Sequence, residues 1–404
     1  MSILHNINTL AACRAGGGQG ALHAVRRAAL VWEGETIRWA GEAADVPSAF
    51  AGMERLDAGG RLVIPGLIDC HTHLAFGGWR ADEFALRVLG KSYRDVARAG
   101  GGILSTMRHT RAASEEALAA RAGGFLREMA RLGVTTVEGK SGYGLTVEDE
   151  MKLLRVYRRL RDEQPLGIVA TFLGAHIVPP EFGDDRDGYL RLLQEELIPR
   201  IGREGLAAFC DVFVEETAFS VEEARAVLEA GVRHGLRPRL HADQLSDGGG
   251  AALAAALGAA SADHLEYASN EGIAAMAEAG VVAVSLPLAT LYLGQQPMPA
   301  RRFIEAGVAV AVATDFNPGS APSYHLPLAL MLACTMQRMT PAEALKGATL
   351  YAARALGIDD RVGSVEPGKQ ADFVLIDAES VDQWLYHFRA NAAVATFVRG
   401  KRLY

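Results

Sequence analysis

Residues 237–265 read RPRLHADQLSDGGGAALAAALGAASADHL. The stretch opens on a short run, Arg237–Asp243, passes through a helical pattern over Asp247–Leu257, and closes on a second short run, Ser261–Leu265. Run, helix and run make one strand–helix–strand unit, the connection that parallel strands require. The alternation continues in both directions. Upstream lie Val63–His73, Val134–Tyr143, Ile168–His176 and Asp211–Glu215; downstream lie Val281–Leu286 and Val308–Asp315. Most are continuous apolar runs, as in strands buried on both faces. Helical spacing fills the gaps over Ser114–Leu132, Val147–Leu160, Tyr189–Ile201, Ser220–His234, Asn270–Ala279 and Pro299–Ala306, and Thr340–Leu356 follows the last strand. The first of these helices opens on Ser114-Glu115-Glu116, a cap with an acidic first turn. Eight such units predict an α/β chain built on a (β/α)8 TIM barrel. An open doubly wound sheet is the alternative. It normally has fewer strands, and no GxGxxG follows the first run.

The ends differ. Short β-like pieces occur at Ala28–Trp32 and Thr36–Ala40, around a turn at Glu33-Gly34-Glu35, and again at Asp372–Ile376 and Ala393–Val398. Neither set is large enough to be stable alone. Residues 1–62 and 362–404 are therefore expected to form one composite β-sandwich domain beside a barrel of residues 63–361. Two independent β-appendages are the alternative.

Composition narrows the function. The chain has 404 residues, 50% hydrophobic and 22% charged, with a net charge of −7. That excludes a disordered chain and leaves no basic footprint for nucleic acid or an anionic membrane. No basic start with an apolar run marks a secretory leader, and no stretch approaches the roughly 20 apolar residues of a membrane span. The four cysteines are scattered without a CxxC pair, which fits a reduced, cytoplasmic protein. The 44 glycines are the odd feature. Several cluster where the barrel's mouth is expected: Gly77-Gly78, Gly100 to Gly102, Gly142 and Gly144, Gly248 to Gly250, and Gly319. A further cluster, Gly16 to Gly20, reads only as a turn.

The chemistry begins in Pro65-Gly66-Leu67-Ile68-Asp69-Cys70-His71-Thr72-His73. On an extended strand His71 and His73 share a face, and two imidazoles there can ligate one divalent metal. A lone HxH is a weak signal; at the C-terminal end of a barrel strand, where barrel active sites sit, it is much stronger. The other runs also end on chemistry: His176, His241, His264 and Asp315. Five of the 11 histidines thus fall at predicted strand ends. His5, His23, His109, His234, His325 and His387 lack that placement and read as ordinary surface or structural groups.

PGLIDCHTHLAFGGWR (65–80), EGKSGYGL (138–145), TFLGAH (171–176), RLHADQLSDGGG (239–250), SADHLEY (261–267) and ATDFNPGSAPS (313–323) together resemble the amidohydrolase superfamily. Within it they are similar to the branch that opens the lactam ring of 4-imidazolone-5-propanoate to N-formimidoyl-L-glutamate in histidine degradation. VGSVEPGKQADFVLID (362–377) resembles the superfamily's accessory sandwich. The resemblance implies one metal ion, zinc or iron, held by His71, His73, His241 and Asp315. It implies that Asp315 accepts the proton of the nucleophilic water and that His264 assists at the substrate carbonyl. Arg80 supplies a planar fork suited to the propanoate tail, with Tyr143, His176, Gln244, Asn317, Gly319 and Ser320 as further substrate contacts. Lys140, the one candidate for a carboxylated bridging lysine, reads as structural. Gln244 stands where some relatives carry a glutamate; an amide can orient the ring but cannot shuttle a proton. A homodimer is likewise implied by the resemblance alone. The competing readings are another mononuclear amidohydrolase, such as a cytosine or guanine deaminase, and a metal-free scaffold protein.

Overall fold

In the computed structural model, which describes residues 2–90 and 101–404, eight parallel strands pair in chain order. They are β1 (Leu67–Asp69), β2 (Val134–Lys140), β3 (Gly167–Ala175), β4 (Phe209–Val214), β5 (Arg237–Ala242), β6 (Ser261–His264), β7 (Val282–Ser285) and β8 (Val310–Val312). Each overlaps one of the eight expected runs. β1, β2, β6, β7 and β8 are buried at every position, which is why they show no in-out alternation along the strand. Gly100, one of the glycines expected at the mouth, lies outside the described residues.

The first run is corrected. Val63–His73 is not one strand: Leu62–Pro65 pairs antiparallel with Phe373–Ile376 in a second sheet, and β1 begins only at Leu67. Pro65 and Gly66 divide them, and a side chain at Gly66 would collide with Thr135. His71 and His73 therefore lie beyond the last residue of β1, on chain that pairs with the residues just after β8. Asp315 N donates to His71 O at 3.0 Å, His73 N donates to Phe316 O at 2.8 Å, and Thr72 bridges Phe316. These contacts close the barrel between its last and first strands.

Asp69 completes that seam, accepting Thr314 N at 3.0 Å and Thr314 Oγ1 at 2.6 Å. Burial pushes its carboxyl from 3.8 up to about 7, although the Thr314 hydrogen bonds oppose the shift. Within that window the folded chain keeps a proton that the unfolded chain has released, so this group's contribution to stability falls as pH rises. Asp69→Asn keeps an acceptor and lacks the titration. Measured by urea unfolding, the variant is expected to gain on the parent protein between about pH 4 and about pH 7. A difference independent of pH would refute the assignment.

The second sheet has eight strands drawn from both termini, among them Ser2–Ala11, Ala24–Glu33, Thr36–Glu42, Leu62–Pro65, Phe373–Ile376 and Ala393–Val398. It curls over itself. Trp32 lies 5.1 Å from Phe373 and 5.8 Å from Phe397, ring to ring, although those strands are not neighbours. One core unites Leu4, Leu30, Trp32, Val63, Phe373 and Phe397, so the expected sandwich from both chain ends is present. Ser2–Ala11 escaped the sequence reading because a bulge between Leu4 and Ile7 breaks its alternation. Leu326–Gln337 escaped because it is apolar nearly all round, with no face to give a period.

The Gly16–Gly20 segment is more than a turn. Lys346 Nζ donates to the carbonyls of Gly16, Gly18 and Ala21 at 3.0–3.2 Å. Gln19 then behaves as a short strand substitute: its Nε2 donates to Val310 O at 2.6 Å and its Oε1 accepts Val310 N at 3.0 Å. The glycines let the backbone fold tightly enough to present those groups, with φ +87° and +64° at Gly16 and Gly17.

Candidate metal centre

The C-terminal ends of β1, β5, β6 and β8 bring His71, His73, His241, His264 and Asp315 together. One ligand atom each of His71, His73 and Asp315 lie within 4.8 Å of one another, and the same holds for His71, His241 and His264. The His71 ring is 4.6 Å from that of His241 and 5.6 Å from that of His73. Asp315 Oδ1 stands 3.4 Å from His71 Nε2 and 3.5 Å from His73 Nε2. Backbone strain collects at the same place, with φ +49° at Asp243, +80° at His264 and +56° at Asp315.

These residues fit a cation. His71 Nδ1 faces Asp263 Oδ2 at 2.6 Å, and His241 Nδ1 faces Asp211 Oδ1 at 3.1 Å. With Nδ1–H directed at a carboxylate, each ring offers an Nε2 lone pair to the centre. Those two Nε2 atoms are buried without a hydrogen-bond partner, and so are His73 Nδ1 and His264 Nδ1. Buried polar atoms without partners are costly unless something else satisfies them, and a divalent ion would satisfy the two Nε2 atoms.

The charge states of His241, His176 and His73 agree with this. Burial lowers His241 and His176 to about 4, and lowers His73 well below its ordinary value, leaving neutral rings as ligands require. Burial and Lys140 also press His71 down, but Asp263 and Asp315 outweigh them and its net shift is upward. Burial would raise Asp315, yet His71 and His73 hold its carboxylate well below the usual range. The centre thus holds an ionised carboxylate among imidazoles.

The mouth loops carry the other expected residues. Tyr143, nearly enclosed, packs its ring 5.6 Å from His73 and 5.4 Å from His176. His176 stacks 5.4 Å from His73 and is tethered to Gly142 O at 2.9 Å. Gln244 is buried on the loop after β5. Arg80 is buried, donates from Nε to Glu83 Oε2 at 2.8 Å, and lies so close over Gly319 that a side chain there would collide with it. Asn317 is committed within its own turn: Nδ2 donates to Asp315 O at 2.6 Å, and Oδ1 accepts Gly319 N and Ser320 N at 2.8 and 2.7 Å. Ser320 Oγ stands 3.5 Å from Asp315 Oδ2. His325, read as ordinary, caps the helix Leu326–Gln337.

The sequence profile of the amidohydrolase family matches residues 62–403, nearly the whole chain. The chain belongs to the amidohydrolase family. It is 49% identical to the imidazolonepropionase of Cupriavidus necator, over 95% of this chain and 92% of that protein. It is 51% identical to the imidazolonepropionase of Geobacillus thermodenitrificans, over 86% and 82%. Among solved structures, a zinc-bound adenosine deaminase from Xanthomonas campestris aligns with TM-score 0.72 at 19% identity, over 99% of this chain and 92% of that one. Guanine deaminase from E. coli aligns with TM-score 0.72 at 16% identity, over 100% and 99%. At such identities the deaminases share the fold alone.

Several residues that build this amidohydrolase's centre were not singled out in the sequence. Glu138, Asp211, Arg239 and Asp263 are fully buried on barrel strands beneath the histidines. Their signal was there: charged residues inside apolar parallel strands, which burial tolerates only when paired. Other carboxylates latch the mouth loops. Glu150 accepts the backbone N–H groups of Gly142, Gly144 and Leu145 at 2.7–3.1 Å, and Asp243 accepts those of Gly248, Gly250 and Ala251 at 2.9–3.1 Å.

Proposed function

We propose that this amidohydrolase is a metal-dependent imidazolonepropionase, a hydrolase of cyclic amide C–N bonds that converts 4-imidazolone-5-propanoate to N-formimidoyl-L-glutamate. The observation that carries the reading is identity of about half, over nearly the full length, to curated imidazolonepropionases, in a chain whose barrel gathers four histidines and one ionised aspartate. His71, His73, His241 and Asp315 would hold one divalent ion, zinc or iron. Bound there, the ion supplies Lewis acidity that lowers a water's pKa toward neutrality.

The chain's own groups do the rest. Asp315, ionised at neutral pH, takes the proton of the water that attacks the ring carbonyl carbon. His264 faces the same space and stabilises the oxyanion of the tetrahedral intermediate. The C–N bond breaks, the ring nitrogen leaves with the proton Asp315 held, and the former carbonyl carbon becomes a carboxylic acid that releases its remaining proton to water. Arg80 receives the propanoate tail; its Nε is taken by Glu83, which leaves the terminal nitrogens as the donors for a carboxylate. Tyr143, His176 and Gln244 orient tail and ring. Asn317, Gly319 and Ser320 serve by shaping the turn that carries Asp315 and supports Arg80. A nucleobase deaminase would take a neutral ring and give Arg80 no anionic ligand beyond Glu83.

Freshly generated imidazolone propanoate, followed spectrophotometrically, tests this directly. Turnover is expected with metal-replete protein, loss after chelation, and recovery on adding zinc or ferrous iron. No turnover by metal-replete protein would overturn the activity; a folded protein that takes up no metal would favour a scaffold. No helix among the described residues is long and apolar enough to cross a membrane. A cytoplasmic homodimer completes the reading, with the subunit number open to light scattering.

A further inference from the structure

We infer that Lys140 is a positioning residue that couples two of the metal-holding histidines, His71 and His241, through a pair of carboxylates; the inference rests on the metal centre proposed above. Lys140 ends β2 with its side chain wholly enclosed. Its ammonium donates to Asp211 Oδ2 at 2.7 Å and to Glu138 Oε1 at 2.9 Å, and stands 3.6 Å from Asp263 Oδ2. The other oxygen of Asp211 faces His241 Nδ1 at 3.1 Å, and Asp263 Oδ2 faces His71 Nδ1 at 2.6 Å. One cation therefore fixes two acceptors, on β4 and β6, which orient imidazoles carried by two other strands.

Glu138 adds a third arm. Its Oε2 accepts Thr72 N at 3.1 Å, and its backbone carbonyl accepts Thr72 Oγ1 at 2.6 Å. Lys140 N donates to Thr72 O at 2.9 Å. The residue between the two histidines of the HxH pair is thus pinned on its N–H, its carbonyl and its hydroxyl. Arg239 does not duplicate the arrangement. It donates to Asp263 Oδ2 and Cys70 O, each at 2.9 Å, and lies 3.9 Å from Glu138. Among the described residues, Lys140 is the lysine or arginine in salt-bridge contact with Asp211. An apolar side chain could fill the same space without the cost of burying a charge. What a lysine adds is a single ammonium that hydrogen-bonds Asp211 and Glu138 and stands in ion-pair reach of Asp263, so that the histidine on β5 and the histidines after β1 keep one relative geometry.

Zinc affinity of the metal-stripped protein, measured by competition with a chromophoric chelator, tests this alongside thermal unfolding of the metal-free form. Lys140→Met leaves three buried carboxylates against one guanidinium and can fail to fold. Lys140→Met with Glu138→Gln balances the charge and keeps an acceptor for Thr72 N. Lys140→Arg keeps the charge without the geometry. Zinc affinity is expected to fall about 10- to 100-fold in each variant that folds, the range for groups that orient metal ligands, with metal-free melting of the double variant and of Lys140→Arg near the parent's. Affinity within about twofold of the parent in any folded variant would overturn the inference and leave the metal centre standing. A parent protein that takes up no zinc would overturn the centre and this inference with it.

Discussion

Asp315→Asn is expected to lower kcat on the order of 10³-fold while the barrel stays folded, the scale on which a positioned proton acceptor contributes. The physical case is local. Asp315 sits in left-handed backbone, φ +56°, held by its N–H to His71 O and by Asn317, which donates to its carbonyl. None of those contacts needs the carboxylate's charge, so the amide variant keeps the loop. What it loses is the basic oxygen, and with it the negative charge that His71 and His73 share at 3.4 and 3.5 Å. Stopped-time assays at saturating substrate, beside far-ultraviolet circular dichroism, measure both halves. Near-normal turnover by a folded Asp315→Asn protein would remove Asp315 from the proton pathway.

His71→Ala carries the second large effect. The ring is fully enclosed between Asp263 and Asp315, and its Nε2 is one of the buried atoms without a hydrogen-bond partner. Removing it deletes one metal ligand and leaves two carboxylates with one partner fewer. Asp263 keeps Ser261 Oγ at 2.6 Å and Arg239 at 2.9 Å, so it is not stranded. The stability cost is expected at about 1–3 kcal/mol, that of a lost buried hydrogen-bond partner. Metal content after dialysis should fall well under one equivalent, and turnover should become undetectable. Elemental analysis showing a full equivalent in the purified variant would take His71 out of the ligand set.

The barrel was legible because parallel strands buried on both faces are mostly apolar and lack an in-out alternation, and eight such runs recur with helical spacing between them. Boundaries were less so. Val63–His73 looked like one strand, since Leu62, Val63, Ile64, Leu67 and Ile68 are all buried. Only the pairing of Leu62–Pro65 with a strand more than three hundred residues downstream divides it at Gly66. Leu326–Gln337 shows the converse, a helix without amphipathic period because neighbours cover it on nearly every side.

At the candidate site, the histidines and the aspartate that the fold gathers were visible from position alone: each stands at or just past the end of a barrel strand. The groups behind them were not. Nothing local to Lys140, Asp211 or Asp263 says that they share one enclosed contact, because they sit on three different strands and meet only when the barrel closes. Asn317 likewise looked free to meet a ligand, and the fold commits its amide to the turn under Asp315. Sequence determined which chemistry the chain carries and on which strand ends, because strand periodicity is a local property. Tertiary structure decided which carboxylate faces each imidazole and in which direction burial moves its titration, because each depends on which buried partner a distant strand brings within hydrogen-bond reach.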